Sequence, residues 1–304
     1  MPAEAAASPT IAVVIATVHR PEDIVRAVAS ALASRGGPFE VVVVDQGGEA
    51  APGFADEARV RTVAMPPLGL SAALNRGTEA AGDAAIVAIT GDDCLVDPDW
   101  LVRIGEAFAA DPQLAAVFGL VRCAPFDPAL GFVPGCAIDT DFVARDVRDL
   151  AEMTGTTACM AIRTEAWRRL GGFDQSLGVG ARFRSGEDLD FALRALQAGW
   201  RVLQTPRVVV EHQTPVLWTD RARVIRRNWY GTGVAMAKSL RLAGVPMAIG
   251  LARLVRRWVR GGSGVAATYG VKPDRRSMLL GFTTGFARGL VAPIDRETDM
   301  LRRG

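Results

Sequence analysis

Apolar positions along the chain change period several times. Residues 10–18, TIAVVIATV, form an unbroken β-branched run, the pattern of a strand buried on both faces. Pro21, Glu22 and Asp23 follow and predict the first turn of a helix, with Ile24, Val28 and Leu32 on one face through Ser34. Gly36 and Gly37 then end it. FEVVVVDQGG (39–48) predicts a second buried strand closed by an acid and two glycines, and RVRTVAM (59–65) a third. GLSAALNRGTEAA (69–81) reads as a helix and DAAIVAIT (83–90) as a fourth strand. DPDWLVRIGEAFAA (97–110) reads as a helix with Pro98 at its start, and LAAVFGLVRC (114–123) as a strand.

Strands alternating with single helices predict an α/β protein with a mostly parallel, Rossmann-like sheet flanked by helices. Ligands bind such sheets at the carboxyl ends of the strands. Asp45 ends the second strand and the adjacent Asp92 and Asp93 end the fourth, so they should share one edge. From 124 to 155 Pro, Gly and Asp loosen the pattern into a loop-rich connection able to shape a pocket. Residues 156–177 read as a strand, a short helix and a Gly-Gly turn. SGEDLDFALRALQAGWRV (185–202) is a helix with an acidic first turn, and 202–213 holds one or two short strands. The remainder, 216–304, is mainly helical, with Trp, Leu and Arg in amphipathic arrangement.

Composition adds little to this picture. With 49% hydrophobic and 22% charged residues over 304 positions, the chain has the make-up of a soluble protein with a sizeable core. A net charge of +2 gives no bias toward nucleic acid. The charge is unevenly spread, however: beyond Pro215 basic residues outnumber acids by about three to one. Such a tail suits a phosphate-bearing surface, or equally a solvated helical face. Cys94, Cys123, Cys136 and Cys159 are widely spaced, without a CxxC pair or a neighbouring His, which argues against zinc and against a disulfide scaffold. Buried thiols in a reducing cytoplasm are the expectation. The start MPAEAAASPT lacks the basic and apolar regions of a signal peptide, and no apolar run is long enough to span a membrane.

The candidate chemistry is acidic. A carboxylate at a strand end caps the next helix, binds a divalent cation or acts as a base. Asp97 is placed to cap the helix before Pro98, which leaves Asp92 and Asp93 without that role. Adjacent carboxylates after a buried strand suit a hard cation such as Mg2+ or Mn2+, with one acid on the ion and the other on a sugar hydroxyl. Glu187, Asp188 and Asp190 exceed what capping of one helix requires. Helical spacing sets Glu187 and Asp190 on one face and turns Asp188 away, so that it projects from the helix start toward a site. There it could take a proton from an acceptor hydroxyl. His212, one of two histidines, is either an additional Mn2+ ligand or a packed residue; spacing alone does not choose.

In order over residues 10–212 these pieces resemble the family 2 glycosyltransferases, which have the GT-A fold. IAVVIATVHRPEDIVRAVASALAS resembles the family's first strand and helix, and FEVVVVDQGG its EVIVVDNGS segment. GLSAALNRGTEAA is similar to GxxxARNxG, and ITGDDCLVDPDWL to the segment carrying the DXD motif. TEAWRRLGGFDQSLGVG, with GEDLDFALRALQAGWRVLQTPRVVVEH after it, resembles the acceptor half with its GGFD turn, ED motif and terminal His.

The resemblance implies a nucleoside-diphosphate-sugar donor, a divalent cation (Mn2+ or Mg2+) and inversion at the anomeric carbon. By position, Thr17 and Asp45 contact the nucleoside, Asp45 at the base. Asp92 meets the ribose and Asp93 binds the metal at the diphosphate. Asp188 is the general base with Glu187 beside it, and His212 is a further metal or diphosphate ligand. Two positions depart from the family: Gly91 stands where DXD has its first acid, and Leu74 replaces the Arg of ARN, with Arg76 as the nearest substitute for a phosphate contact. Arg226, Arg227, Trp229 and Tyr230 fall where relatives carry a mobile segment over the donor, or else belong to a packed helix. The implied organisation is a disordered 1–9, a nucleotide-sugar-binding half (10–123), an acceptor-binding half (124–215) and a helical C-terminal extension (216–304).

The acceptor is a hydroxyl on a saccharide, a lipid-linked sugar or a small natural product. The expected location is the cytoplasm, with the C-terminal helices either at the inner membrane surface or in a homodimer. Three rivals stand beside this reading. A retaining GT-A transferase differs in product stereochemistry. A nucleotidyltransferase is disfavoured, because TVHRPED stands where its Gly-rich phosphate loop would lie. A non-catalytic scaffold binding nucleotide-sugars is hinted at by Gly91 and opposed by Asp93, Asp188 and His212.

Overall fold

The computed structural model describes residues 9–36, 39–47, 54, 57–260 and 274–302. The expected disorder of residues 1–9 therefore lies almost wholly outside the described residues, as does Gly37 of the expected helix stop. The fold is mixed α/β. In chain order it comprises β1 (Ile11–Thr17), α1 (Pro21–Leu32), β2 (Glu40–Asp45), β3 (Val60–Ala64), α2 (Leu70–Ala80), β4 (Ile86–Gly91), β5 (Cys94–Val96), α3 (Trp100–Ala110) and β6 (Leu114–Cys123). There follow β7 (Gly131–Phe132), β8 (Phe142–Ala144), a 3-10 helix (Val147–Glu152), β9 (Cys159–Arg163), α4 (Thr164–Arg169), α5 (Glu187–Gln197) and β10 (Arg201–His212). The tail adds α6 (Arg221–Ala243), α7 (Val245–Val259) and α8 (Arg275–Val291).

The main sheet has the order β3-β2-β1-β4-β9-β6-β10-β5, with β8 on β10. β3, β2, β1 and β4 are parallel; the unbroken apolar runs of β2, β1 and β4 are buried on both faces, whereas β3 is the more exposed edge strand. The order reverses at β1, which is the switch point where open α/β sheets bind ligands. Three strands break the parallel expectation. β9 is antiparallel to both β4 and β6, and β5 and β8 are antiparallel to β10. The three residues of β5, CLV, are too few to carry a readable period.

Residues 202–213 form one strand, not two. β10 pairs with β6 over both its halves, but the register slips between Thr205 and Val209. Pro206, which cannot donate to the ladder, lies in that slip. The bulge re-aims the far half so that Val210, Glu211 and His212 pair with Val96, Leu95 and Cys94. This irregularity delivers His212 to the carboxyl edge beside Asp93.

The helical tail is fastened to the sheet domain by charge. Lys238 of α6 is fully buried, with Nζ 2.8 Å from Asp174 and 2.7 Å from Asp190. Arg194 Nε donates to Asp190 at 2.8 Å and its other nitrogens to the carbonyls of Leu170 and Gly172. Two acids and two bases thus close a neutral buried quartet. Close backbone approach completes the seam: Gly186 has φ +90°, and a side chain on Gly231 would meet the Ser185 carbonyl at 2.1 Å.

Candidate active site

Parallel register brings the strand-end residues together. Thr17 lies opposite Asp45, and Ala16 opposite Gly91, so Asp92 follows at the level of Thr17. Thr17 Oγ1 donates to Asp92 Oδ2 at 2.8 Å. Asp45 Oδ1 accepts from the Gly47 amide at 2.7 Å, whereas its Oδ2 is buried with no hydrogen-bond partner among the described residues. A buried acceptor left open in this way calls for a donor from outside the described residues.

Asp93 faces Arg20 and His212. Arg20, at the start of α1, reaches Asp92 Oδ1 at 3.1 Å and Asp93 Oδ2 at 2.8 Å. His212 Nε2 stands 3.4 Å from the same Asp93 oxygen, and the Gln213 amide donates to the Asp93 carbonyl at 2.9 Å. Burial raises the pKa of Asp92, and Asp93 adds to the rise; Arg20 and Thr17 only partly offset it. For Asp93 burial pushes the same way, but hydrogen bonds and charge from His212, then Thr214 and Arg20, hold the carboxyl well below the usual carboxylate range. One member of the pair is therefore firmly ionised.

The ionised Asp93 and His212 suit a hard or borderline cation. Cys94 joins them geometrically: one ligand atom from each of Asp93, Cys94 and His212 lies within 4.8 Å of the others. Its thiol is fully buried, and burial followed by the Asp93 charge pushes its pKa well above the ordinary value, so it makes a poor ligand for a hard ion. Strand pairing supplies this His–Cys contact, which spacing along the chain had seemed to exclude. Cys123 is the register partner of His212 on β6, Cys159 lies within electrostatic reach of Cys94, and no disulfide joins any of the four cysteines. Gly91 has a steric reason: a Cβ there would sit 2.9 Å from Asp93 Oδ1 and 3.2 Å from Cys94 Sγ.

A second acidic group opens α5. Glu187 is buried, accepting from Thr157 Oγ1 at 3.2 Å; Asp190 is locked in the quartet; Asp188 alone keeps partial access to solvent. The helical spacing thus separates them as expected. Burial, then the Asp188 charge, raises Glu187; burial also raises Asp188 against backbone hydrogen bonds from Leu189 and Thr157. Asp190 is lowered despite burial, because Lys238 and Arg194 face it.

Other expected residues fall differently. Arg76 is not brought to the cluster; it forms a surface pair with Glu79 at 3.7 Å, because α2 turns Leu74 into the core and Arg76 outward. Arg20 takes the cationic place beside the strand-end acids. TVHRPED held the signal, since a β1–α1 turn borders the end of β4, but the turn had been weighed only as a phosphate loop. Asp97 is not the cap of α3, which begins at Trp100; its carboxylate instead accepts the Asp99 amide at 3.0 Å in the turn before it. Trp229 is a packing residue, edge-on to Trp258 with centroids 5.0 Å apart, and Arg226 is exposed. Arg227 is partly buried within electrostatic reach of Glu187.

The model of the family described as "Glycosyltransferase like family 2" matches residues 9–232. No curated protein matches the sequence. Among solved structures, the chain is similar to the mannosyltransferase PcManGT from Pyrobaculum calidifontis, in complex with GDP-Man and Mn2+, with TM-score 0.60 and 19% identity. That match covers 93% of this chain and 87% of the other. It is also similar to residues 1–349 of S. aureus TarS, with TM-score 0.58 and 14% identity over 93% and 81% of the two chains.

Proposed function

From the premise that the chain belongs to the glycosyltransferase-like family 2, and is a glycosyl-transfer enzyme of GT-A fold, we propose a metal-dependent, inverting transfer from a nucleoside-diphosphate sugar to an acceptor hydroxyl. The observation that carries this reading is the meeting of Asp93 and His212 at 3.4 Å, on the edge that also holds Thr17, Asp45 and Asp92. The GDP-Man and Mn2+ of the similarly folded mannosyltransferase support it.

Asp45 Oδ2, the open buried acceptor, takes a donor group of the base, and Asp92 takes a ribose hydroxyl. Asp93 and His212 would hold Mn2+ or Mg2+, and a cation there would supply positive charge opposite a diphosphate. Arg20 balances Asp92 and Asp93 when the cation is absent. Asp188 accepts the proton of the acceptor hydroxyl as its oxygen attacks the anomeric carbon. Burial suits it to this role, since a carboxylate with a raised pKa is the stronger base. Glu187 is enclosed beside it and acts through it. In this scheme residues 10–123 form the donor half and 124–215 the acceptor half, with His212 reaching back to the donor. α6 braces α5 through Lys238.

A thermal-shift panel of UDP-, GDP- and dTDP-sugars with and without Mn2+ tests the reading. One nucleotide class should stabilise the protein in a metal-dependent manner. Absence of a shift with every donor would sink it, and a product that keeps the donor's anomeric configuration would overturn inversion.

A further inference from the structure

α7 has two unlike faces. Met247, Gly250 and Leu254 are buried against the 3-10 helix Val147–Glu152, where a Cβ on Gly250 would lie 2.5 Å from the Val147 carbonyl. The opposite face is apolar but uncovered: Val245 is 73% exposed, Val255 52% and Val259 82%, with Ile249 between them. Alongside this stripe, Arg253, Arg256 and Arg260 project to solvent. They reach a cavity of about 450 Å3, also lined by Arg148 and Arg257.

The acids at this cavity do not neutralise it. Glu152 is taken by Arg257 at 2.5 Å, and Asp149 caps the 3-10 helix by accepting the amides of Arg145 and Asp146. Arg148 is paired with Asp146 at 2.9 Å. Arg253 donates to the Arg148 carbonyl at 3.2 Å and lies within electrostatic reach of Asp146, whereas no salt bridge holds Arg256 or Arg260 among the described residues. Next to a bare apolar stripe, a cavity lined by five arginines and two acids suits a partner that offers anions and an apolar phase side by side.

We propose that this face of α7 docks on an anionic lipid surface, with the valine stripe entering the acyl boundary and the arginine cavity receiving phosphate headgroups. A second copy of the chain fits worse, because a two-fold contact across α7 would oppose the same three arginines. A spanning segment is not involved: no helix among the described residues is long and apolar enough to cross a membrane. The inference is independent of the donor site.

Flotation of the full chain with vesicles of phosphatidylcholine alone, or of phosphatidylcholine mixed with phosphatidylglycerol, reads the proposal directly. Binding is expected to the anionic vesicles only and to fall with salt. R253Q/R256Q/R260Q should lower partition about 100-fold, since each basic residue near the surface contributes about fivefold. V255S/V259S should also weaken binding, while leaving its salt dependence unchanged. These sites are exposed, and an unchanged circular-dichroism spectrum and melting temperature would confirm folded variants. Equal binding to neutral vesicles, or no binding to either, overturns the proposal. So does full displacement by millimolar glycerol phosphate, which marks a soluble-anion site, or a dimer that V255S/V259S abolishes.

Discussion

Two acidic clusters, one at the end of β4 and one at the start of α5, contain the same kind of residue and behave in opposite ways. Asp93 is flanked by Arg20 and His212 and stays ionised; Glu187, buried with only Arg227 in electrostatic reach, and the partly enclosed Asp188 have no ion pair and are biased toward protonation. Proximity to charge decides the first and desolvation the second. A carboxylate held ionised suits a cation. One whose ionisation is opposed suits proton transfer. Asp190, two residues beyond Asp188, shows that place on the helix is not the cause: with Lys238 and Arg194 against it, it too is pulled down.

The sharpest way to break this contrast is Asp188→Asn. The change is nearly isosteric and leaves the strand-end cluster untouched. Donor-induced stabilisation with Mn2+ should persist while transfer falls by about 10²–10⁴-fold. Retained transfer would remove Asp188 as the base.

Lys238→Met should come next, and its effect is on folding. It leaves Asp174 and Asp190 buried with only Arg194 to answer them, a loss of about 3–5 kcal/mol by the usual cost of breaking a buried ion group. Denaturant unfolding measures it. An unchanged midpoint would show that the quartet does not fasten α6 to α5.

Glu187→Gln tests the protonation claim with a smaller effect. The two acids titrate as a pair, so removing one charge eases ionisation of the other. The acidic limb of kcat/KM in the wild type should lie above the ordinary carboxylate range, and the variant should move it to lower pH. Stability follows the same sign. A raised acid contributes most below its unfolded pKa, and that contribution is lost as pH rises through the folded pKa. The wild type should therefore lose melting temperature with rising pH relative to Glu187→Gln. A limb at the same pH in both proteins would disprove the coupling.

The strand ends were legible in sequence because buried parallel strands announce themselves as apolar runs, and the first acid after such a run must fall at the ligand edge. Asp45, Asp92 and Asp93 were placed in this way, and helical spacing set Asp188 apart from Glu187 and Asp190. The partners of these acids were not legible. Arg20 meets Asp93 across a turn, and His212 reaches Cys94 only because a bulge near Pro206 shifts β10 by its register. Lys238 lay in a tail read as amphipathic surface, and nothing in its local pattern distinguishes a buried Lys from a solvated one.

Gly91→Ala carries the smallest effect, and it addresses the position where the sequence departs from the family's acidic motif. The added Cβ would lie 2.9 Å from Asp93 Oδ1. That oxygen can retreat only by rotating the carboxylate, yet the other oxygen is held by Arg20 at 2.8 Å and faces His212 at 3.4 Å. A rotation of this kind costs about 0.5–1.5 kcal/mol, so Mn2+ affinity should fall up to about tenfold, read by calorimetry, with transfer recovering at saturating Mn2+. If glycine is required by the packing of Asp93, Gly91→Asp should be worse than Gly91→Ala, since it adds charge as well as bulk. If instead Gly91→Asp tightens Mn2+, the glycine is a missing ligand, and the cation site rests on fewer groups here than the fold can supply.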